Sequence, residues 1–265
     1  VSVMQERTIP RSVATVVAEL EAMQKRLINQ EEIAHAAGLQ PGTRQTRKLV
    51  ERLRAHGWIR ALPARGAFES LPAEPGPHPS GDRWTDFRAA LKRDPDLPAQ
   101  VVLHSAAFMQ GLADRFPVPD QIAVGGKTIS RGLGSVYTVI RTTPARLGGA
   151  TVEDGVPVST VERLPIEVVW WWSKAGDLRN PEHWIGNALR RSDPDRLTEL
   201  AVKEGPTMVA RCGYLAERFG AVDIAKRLEV LHRRGPTWIG PRSKPSSFNS
   251  RWKVYDSIGV AQGSQ

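Results

Sequence analysis

Four prolines, Pro72, Pro75, Pro77 and Pro79, fall within the stretch "LPAEPGPHPSGD" at residues 71–82, together with two glycines. Proline fixes φ and carries no N–H, so neither a helix interior nor a central strand can run through such a segment. Residues 73–83 therefore read as an extended linker, and the chain is expected to fold as separate domains on either side, 1–72 and 84–265. At 265 residues the chain is long enough to give each a core of its own.

Ahead of the linker, apolar residues recur at helical spacing. Val13, Val16, Val17 and Leu20 make one amphipathic stripe. In "RLINQEEIAHAAGL", Asn29 and Glu32 have the spacing of a reciprocal N-terminal cap; Ile33, Ala36 and Ala37 form an inner face, and Gly38 supplies a stop. A third helix is predicted from about Gly42 to His56, with Thr46, Leu49, Val50 and Leu53 inward and Gly57 as its left-handed end. "WIRALPARGAFESL" then predicts two short strands about a Pro63-Ala64-Arg65-Gly66 turn. Three helices and a hairpin in this order predict a winged helix-turn-helix.

The third helix is the candidate site. With its apolar residues committed to one side, Arg44, Gln45, Arg47, Lys48, Glu51 and Arg52 must face outward. A DNA major groove admits one α-helix, and the first half of a recognition helix carries the base-reading side chains. Thr43, Arg44, Gln45, Arg47 and Lys48 occupy that half. Arginine can grip guanine through two hydrogen bonds and glutamine can do the same with adenine. Arg65 at the turn and Arg60 on the strand before it are expected to reach a neighbouring phosphate or a minor groove. The competing reading is a solvated helix that happens to be basic.

Charge distribution supports the first reading. The net charge is +9. Residues 1–70 hold 11 Lys/Arg against 7 Asp/Glu, residues 71–230 are balanced at 20 of each, and residues 231–265 hold 6 against 1. The excess sits at the two ends, which favours an anionic partner. A single cysteine, Cys212, precludes an internal disulfide, and the chain shows neither a membrane-length apolar run nor a signal-peptide pattern. A cytoplasmic protein with no membrane partner is expected.

Beyond the linker, Trp84, Phe87 and Leu91 mark a helix and "VVLHSAAFMQGL" another. Strand-like "QIAVGG", "SVYTVIRTT" and "ATVEDGVPV" follow, the last with an Asp154-Gly155 hairpin turn. Helical patterning resumes from residue 159, with a Ser159/Glu162 capping box and caps at Asn180-Pro181 and Asp193-Pro194. Pro165 calls for a kink or a fresh helix start. Three later faces are Leu197, Leu200 and Ala201; Cys212, Leu215, Ala216 and Phe219; and Ile224, Leu228 and Leu231. The larger domain is thus α+β, strands first and helices after.

"LINQEEIAHAAGLQPGTRQTRKLVERLRAHGWIRALPARGAF" resembles the N-terminal winged helix of AbiEi-type antitoxins, the regulator halves of type IV toxin–antitoxin operons. Gly57-Trp58 and Arg65-Gly66 match that pattern, while Ala67-Phe68 replaces the more usual valine and tyrosine. "LHSAAFMQGL", "VPVSTVERLPIEVV" (through Val158, Glu162 and Arg163) and "CGYLAERFG" resemble later parts of the same family, extending the match to about residue 232. The resemblance implies a repressor of its own operon that binds inverted repeats in double-stranded DNA. It also implies an antitoxin countering a nucleotidyltransferase toxin without necessarily forming a stable complex with it. The protein is then monomeric in solution, with pairing on DNA, and its second domain carries antitoxicity and cooperativity.

Enzymatic chemistry is not expected. Gly134-Ser135 lacks the downstream Asp-x-Asp of a nucleotidyltransferase, and "GGKT" at 125–128 has Gln121 where a phosphate loop needs its first glycine. The histidines and Cys212 have no metal-ligand spacing, so neither metal nor cofactor is expected. His104 reads as a packed core histidine, Cys212 as an inert buried thiol, and Trp170-Trp171-Trp172 as core with a partly exposed neighbour. The tail "RRGPTWIGPRSKPSSFNSRWKVYD" suits either a nucleic-acid contact or an arm that packs Trp238, Phe248 and Trp252 onto the domain. An RNA-binding or RNA-processing role for the same basic surface, or a protein adaptor, remains the alternative to DNA regulation.

Overall fold

The computed structural model describes residues 11–71, 82–126, 132–180, 182–232 and 235–259. Most of the expected linker, residues 73–81, lies outside them. The protein is mixed α+β and divides into two compact units, one comprising Val1–Leu97 with Lys127–Val136 and the other Pro98–Gly126 with Tyr137–Gln265. Among the described residues no helix is long and apolar enough to cross a membrane.

The first unit runs α1 (Arg11–Ala22), β1 (Leu27–Asn29), α2 (Gln30–Ala36), α3 (Arg44–Ala55), β2 (Ile59–Ala61), β3 (Ala67–Ser70) and α4 (Thr85–Arg93). The apolar stripe of α1 is buried through Val13, Val16, Val17 and Leu20, which pack with Ile28, Ile33, Leu49, Val50, Leu53, Trp58, Ile59 and Phe68. Asn29 and Glu32 form the reciprocal cap, each side chain accepting the other's backbone N–H at 2.8 Å. The sheet has three strands, ordered β1-β3-β2 and antiparallel throughout, where the sequence led to only two. β1 was missed because three residues are too few to show alternation without a visible partner.

The domain boundary differs from the expected one. α4 belongs to the first unit rather than to the larger domain. Its Ala89 packs with Leu62 and Ala64, and Lys92 donates to the Leu27 carbonyl at 3.4 Å and pairs with Glu32 at 3.4 Å. Prolines mark where regular structure stops. They do not say which core the next helix joins.

The second unit is built on β4 (Ala99–Val101), α5 (Leu103–Met109), β5 (Gln121–Gly125), β6 (Thr138–Thr142), β7 (Ala150–Glu153) and β8 (Val156–Ser159). The five strands are ordered β6-β5-β4-β8-β7, with β4–β8 and β5–β6 parallel and the other pairs antiparallel. Asp154 and Gly155 (φ 48° and 71°) turn β7 into β8, as the Asp-Gly pair predicted. Then come α6 (Leu164–Trp170), α7 (Trp184–Arg191), α8 (Pro194–Glu204), α9 (Pro206–Arg218) and α10 (Val222–Leu231), and a second small sheet of β9 (Thr237–Ile239), β10 (Ser247–Asn249) and β11 (Val254–Asp256). "VVLHSAAFMQGL" is thus split, its first valine ending β4 and its helix starting at Leu103.

α9 is buried along Met208, Val209, Cys212, Leu215 and Ala216, and Phe219 just past its end is buried too. Close approach governs one position on it. A β-carbon at Gly213 would collide with the indole of Trp252, which is fully buried and donates Nε1–H to Glu217 at 3.0 Å. The tail therefore packs Trp252 onto the domain, while Phe248 stays exposed against Tyr255. Leu231, expected on an inner face, is exposed at the end of α10.

Local signals misread two caps. Ser159 ends β8 instead of capping a helix, and its hydroxyl meets the Glu167 carboxyl at 2.5 Å. α6 begins afresh at Leu164 with Pro165 in its first turn. Asn180 accepts the Glu182 N–H in a local turn, and the cap of α7 is His183. Asp193 does cap α8, accepting the N–H groups of Asp195 and Arg196 at 2.8 and 3.1 Å.

Two buried titratable groups of this unit carry large shifts of opposite sign. Glu167 is fully buried, which raises its pKa to about 7, although the Leu103 N–H and the Ser159 hydroxyl partly favour the charged form. His183 is lowered to about 4 by burial; it donates Nε2–H to the Ala175 carbonyl at 2.7 Å and accepts the Ile185 N–H on Nδ1 at 3.2 Å. A raised acid gives stability that is lost as pH climbs from about 4.5 to 7; a lowered base gives stability that is lost as pH falls from about 6.5 to 4. The two slopes oppose across their shared window. Glu167→Gln should remove the first slope, so that the variant gains stability relative to the wild type as pH rises from about 4.5 to 6.5, by up to about 3 kcal/mol in urea titrations run on both.

Candidate nucleic-acid interface

α3 is held by its ends and by its inner side. Thr43 Oγ1 accepts the Thr46 N–H at 3.2 Å and donates to the Gln40 carbonyl at 3.0 Å; Thr46, fully buried, donates to the same carbonyl at 2.7 Å. At the other end Gly57 takes φ 72°, a conformation costly for any residue with a β-carbon. Its N–H reaches the Arg54 carbonyl at 3.0 Å and the Trp58 N–H reaches that of Leu53 at 2.9 Å, closing the last turn. Thr46, Leu49, Val50 and Leu53 are buried as the spacing requires.

With that side fixed, Arg44, Gln45, Arg47, Lys48, Glu51 and Arg52 are all exposed. Arg44, Lys48, Glu51 and Ala55 follow the helical repeat down the line opposite the core; Arg47 and Arg54 flank it on one side, Gln45 and Arg52 on the other. Among the described residues none of Arg44, Arg47, Lys48, Arg52 and Arg54 has a carboxylate partner. Arg44 in the first turn also opposes the positive end of the helix dipole, and no acidic residue offsets it there. Arg54 was missed in the sequence because it lies past the half of the helix that reads bases; its place in the helical repeat was signal enough to include it.

The hairpin is less free than the sequence suggested. Arg60 stands directly across from Glu69 in the β2–β3 register, and its Nε meets the Glu69 carboxylate at 2.8 Å. Arg26 meets the same buried carboxylate at 3.0 Å, and Asp86 lies 3.8 Å from Arg60. Burial raises the pKa of Asp86, against the pull of Arg60. Arg60 is therefore a structural ion-pair partner, not an open phosphate contact, and Thr43 spends its hydroxyl on the helix cap. The turn lies one residue later than expected: Ala67 N–H reaches the Ala64 carbonyl at 3.0 Å, with Arg65 and Gly66 (φ 80°) between them. Arg65 is exposed at that tip, without a described carboxylate partner.

The arrangement presents a convex cationic ridge about 18 Å long and, on the hairpin, one further free guanidinium. Its donors are suited to polyanions rather than to bond-making chemistry. Among the described residues no group of three or more His, Cys, Asp or Glu could hold a metal ion. Cys212 is buried with its thiol pushed up to about 12, and His104 is half-buried against Trp184, its pKa lowered by burial.

No family model and no curated protein matches the chain. Its fold does have a solved counterpart. The chain is similar to the RV2827C protein from Mycobacterium tuberculosis, with a TM-score of 0.78 at 20% identity, covering 97% of this chain and 95% of that one. At that identity the likeness shows a shared fold across the whole length and nothing about activity.

Substituting Glu69 separates the structural part of this surface from the exposed part. Glu69→Gln leaves Arg26 and Arg60 without their buried counter-charge and should cost about 3 kcal/mol in urea denaturation, at the low end for a broken buried pair because both arginines are half-exposed. Arg65→Ala should change stability by less than about 0.5 kcal/mol.

Proposed function

We propose that the protein is a sequence-specific binder of double-stranded DNA, a transcriptional repressor whose first unit acts as a winged helix-turn-helix. The observation that carries this reading is the outward row of α3, where Arg44, Arg47 and Lys48 are exposed and lack any described carboxylate partner. α2 and α3 form the helix pair, with α3 entering the major groove and the β2–β3 turn at Arg65 reaching the phosphate backbone. Arg44, Gln45, Arg47 and Lys48 read base edges; Arg52 and Arg54 hold phosphates further along.

The resemblance to AbiEi-type antitoxins supports reading this repressor as part of a type IV toxin–antitoxin operon. There it regulates its own promoter through inverted repeats, with copies pairing on DNA, and counters a nucleotidyltransferase toxin through the second unit. The order of matching segments on both sides of the prolines supports that extension.

Gel shifts on the DNA upstream of the gene that encodes the chain test the reading. Binding is expected to fall steeply with salt, by a slope of about 0.9 in log–log terms per phosphate contact. Arg44→Ala or Arg47→Ala should cost about 1–3 kcal/mol at one base position and relax the preference there. Arg65→Ala should weaken all sequences alike and reduce the salt slope by about 1. Absence of any shift at moderate salt, or a preference for structured RNA indifferent to these substitutions, contradicts the proposal.

A further inference from the structure

The second unit holds a concave basic site that operator binding by the first unit does not use. A cavity of about 290 Å³ is lined by Arg146, Arg211 and Arg242 together with Trp170, Trp172 and Trp238. Four segments far apart in the chain converge there: the turn after β6, the end of α6 with the turn that follows, α9, and β9 with the loop after it. Among the described residues none of the three arginines has a carboxylate partner, although other arginines of the same unit do. Arg163 pairs with Glu204 at 3.5 Å, and Arg251 reaches Glu217 and Glu229 at 2.6 Å each. Three like charges around one small space repel each other, and a bound anion is what would offset that repulsion.

The aromatic rings determine how the guanidiniums are presented. Arg242 lies over the Trp238 ring, 4.5 Å from its centroid, and Trp238 stacks on Tyr255 at 4.6 Å. Arg146 and Arg163 lie over Trp170 at 5.2 and 4.7 Å. A guanidinium held over an indole face still has N–H groups to offer a second partner, and phosphate oxygens accept them in pairs. Arg211, on α9, is steadied by its Nε–H donation to Thr237 at 3.1 Å; burial and the nearby Arg242 charge both lower its pKa. Trp172 differs from the other two tryptophans. It is half-buried and, among the described residues, has no ring or cation stacked on it. Trp170, Trp171 and Trp172 are all half-buried, where core with one partly exposed neighbour was expected.

We infer that this cavity binds a nucleoside phosphate, the phosphate held by Arg146, Arg211 and Arg242 and the base stacked on Trp172. The volume lies at the small end of ligand sites, which start at about 300 Å³, and admits one nucleotide but no duplex. The ligand is either a free nucleotide or the phosphorylated end of a strand, since both present the same group.

Calorimetric titration of the full chain tests this with inorganic phosphate, nucleoside mono- and triphosphates, and a short single-stranded oligonucleotide with and without a 5′-phosphate. Saturable binding of free nucleotides identifies the first source; binding of the 5′-phosphorylated but not the 5′-hydroxyl strand identifies the second. Arg146→Glu and Arg242→Glu, both at exposed positions, should each weaken binding by about tenfold or more. Trp172→Leu should weaken nucleotide binding while leaving the response to inorganic phosphate unchanged. Circular dichroism and the operator gel shift, read on the same variants, should match wild type, so failure here is distinct from failure of the DNA reading. No saturable heat up to about 1 mM with any nucleotide or with the 5′-phosphorylated strand, or equal binding by folded charge-reversed variants, overturns the inference.

Discussion

The inner side of α3 decides what its outer side can do. Leu49, Val50 and Leu53 are locked into a core shared with α1, α2 and the small sheet, and Thr46 is anchored to the Gln40 carbonyl. A helix pinned through one side cannot rotate without exposing those groups to water, at about 1.5–3 kcal/mol for each large apolar side chain. The direction in which each cationic side chain leaves the opposite side is thereby fixed. The electrostatic cost of gathering them, including Arg44 against the helix dipole, is borne by this packing and by the caps at Thr43 and Gly57.

Features of the first unit that depend on near neighbours were legible in the sequence. The stripe of α1, the Asn29/Glu32 cap, the ends of α2 and α3 and the exposed row of α3 all follow from spacings of three or four residues. Features that depend on distant pairing were not. β1 exists because β3 accepts it, Arg60 is spent because the register sets it opposite Glu69, and α4 joins the first unit through Ala89 and Lys92. Ser159 shows the same limit, since a serine three residues before a glutamate caps a helix only if no stronger partner is near. The Glu167 carboxyl is that partner.

In the second unit the tryptophan run was visible in the sequence, but its arginine and tail partners were not. Trp170 and Trp172 share a cavity with Arg211 and Trp238 only once α9 and the tail sheet are packed. Trp252 of the tail, ambiguous by composition, packs against Gly213. The protein thus carries two cationic surfaces of different shape. The convex ridge of α3 suits a groove, while the concave cluster suits a single phosphorylated base.

Dimethyl sulfate probing of the bound upstream DNA tests the central claim most directly, because guanine N7 faces the major groove and adenine N3 the minor. The account predicts protection at guanine N7 in each half-site, with one protected guanine released when Arg47 is replaced by alanine. Protection confined to adenine N3, or a pattern unaltered by that replacement, would mean that the outward row of α3 is not what meets the DNA.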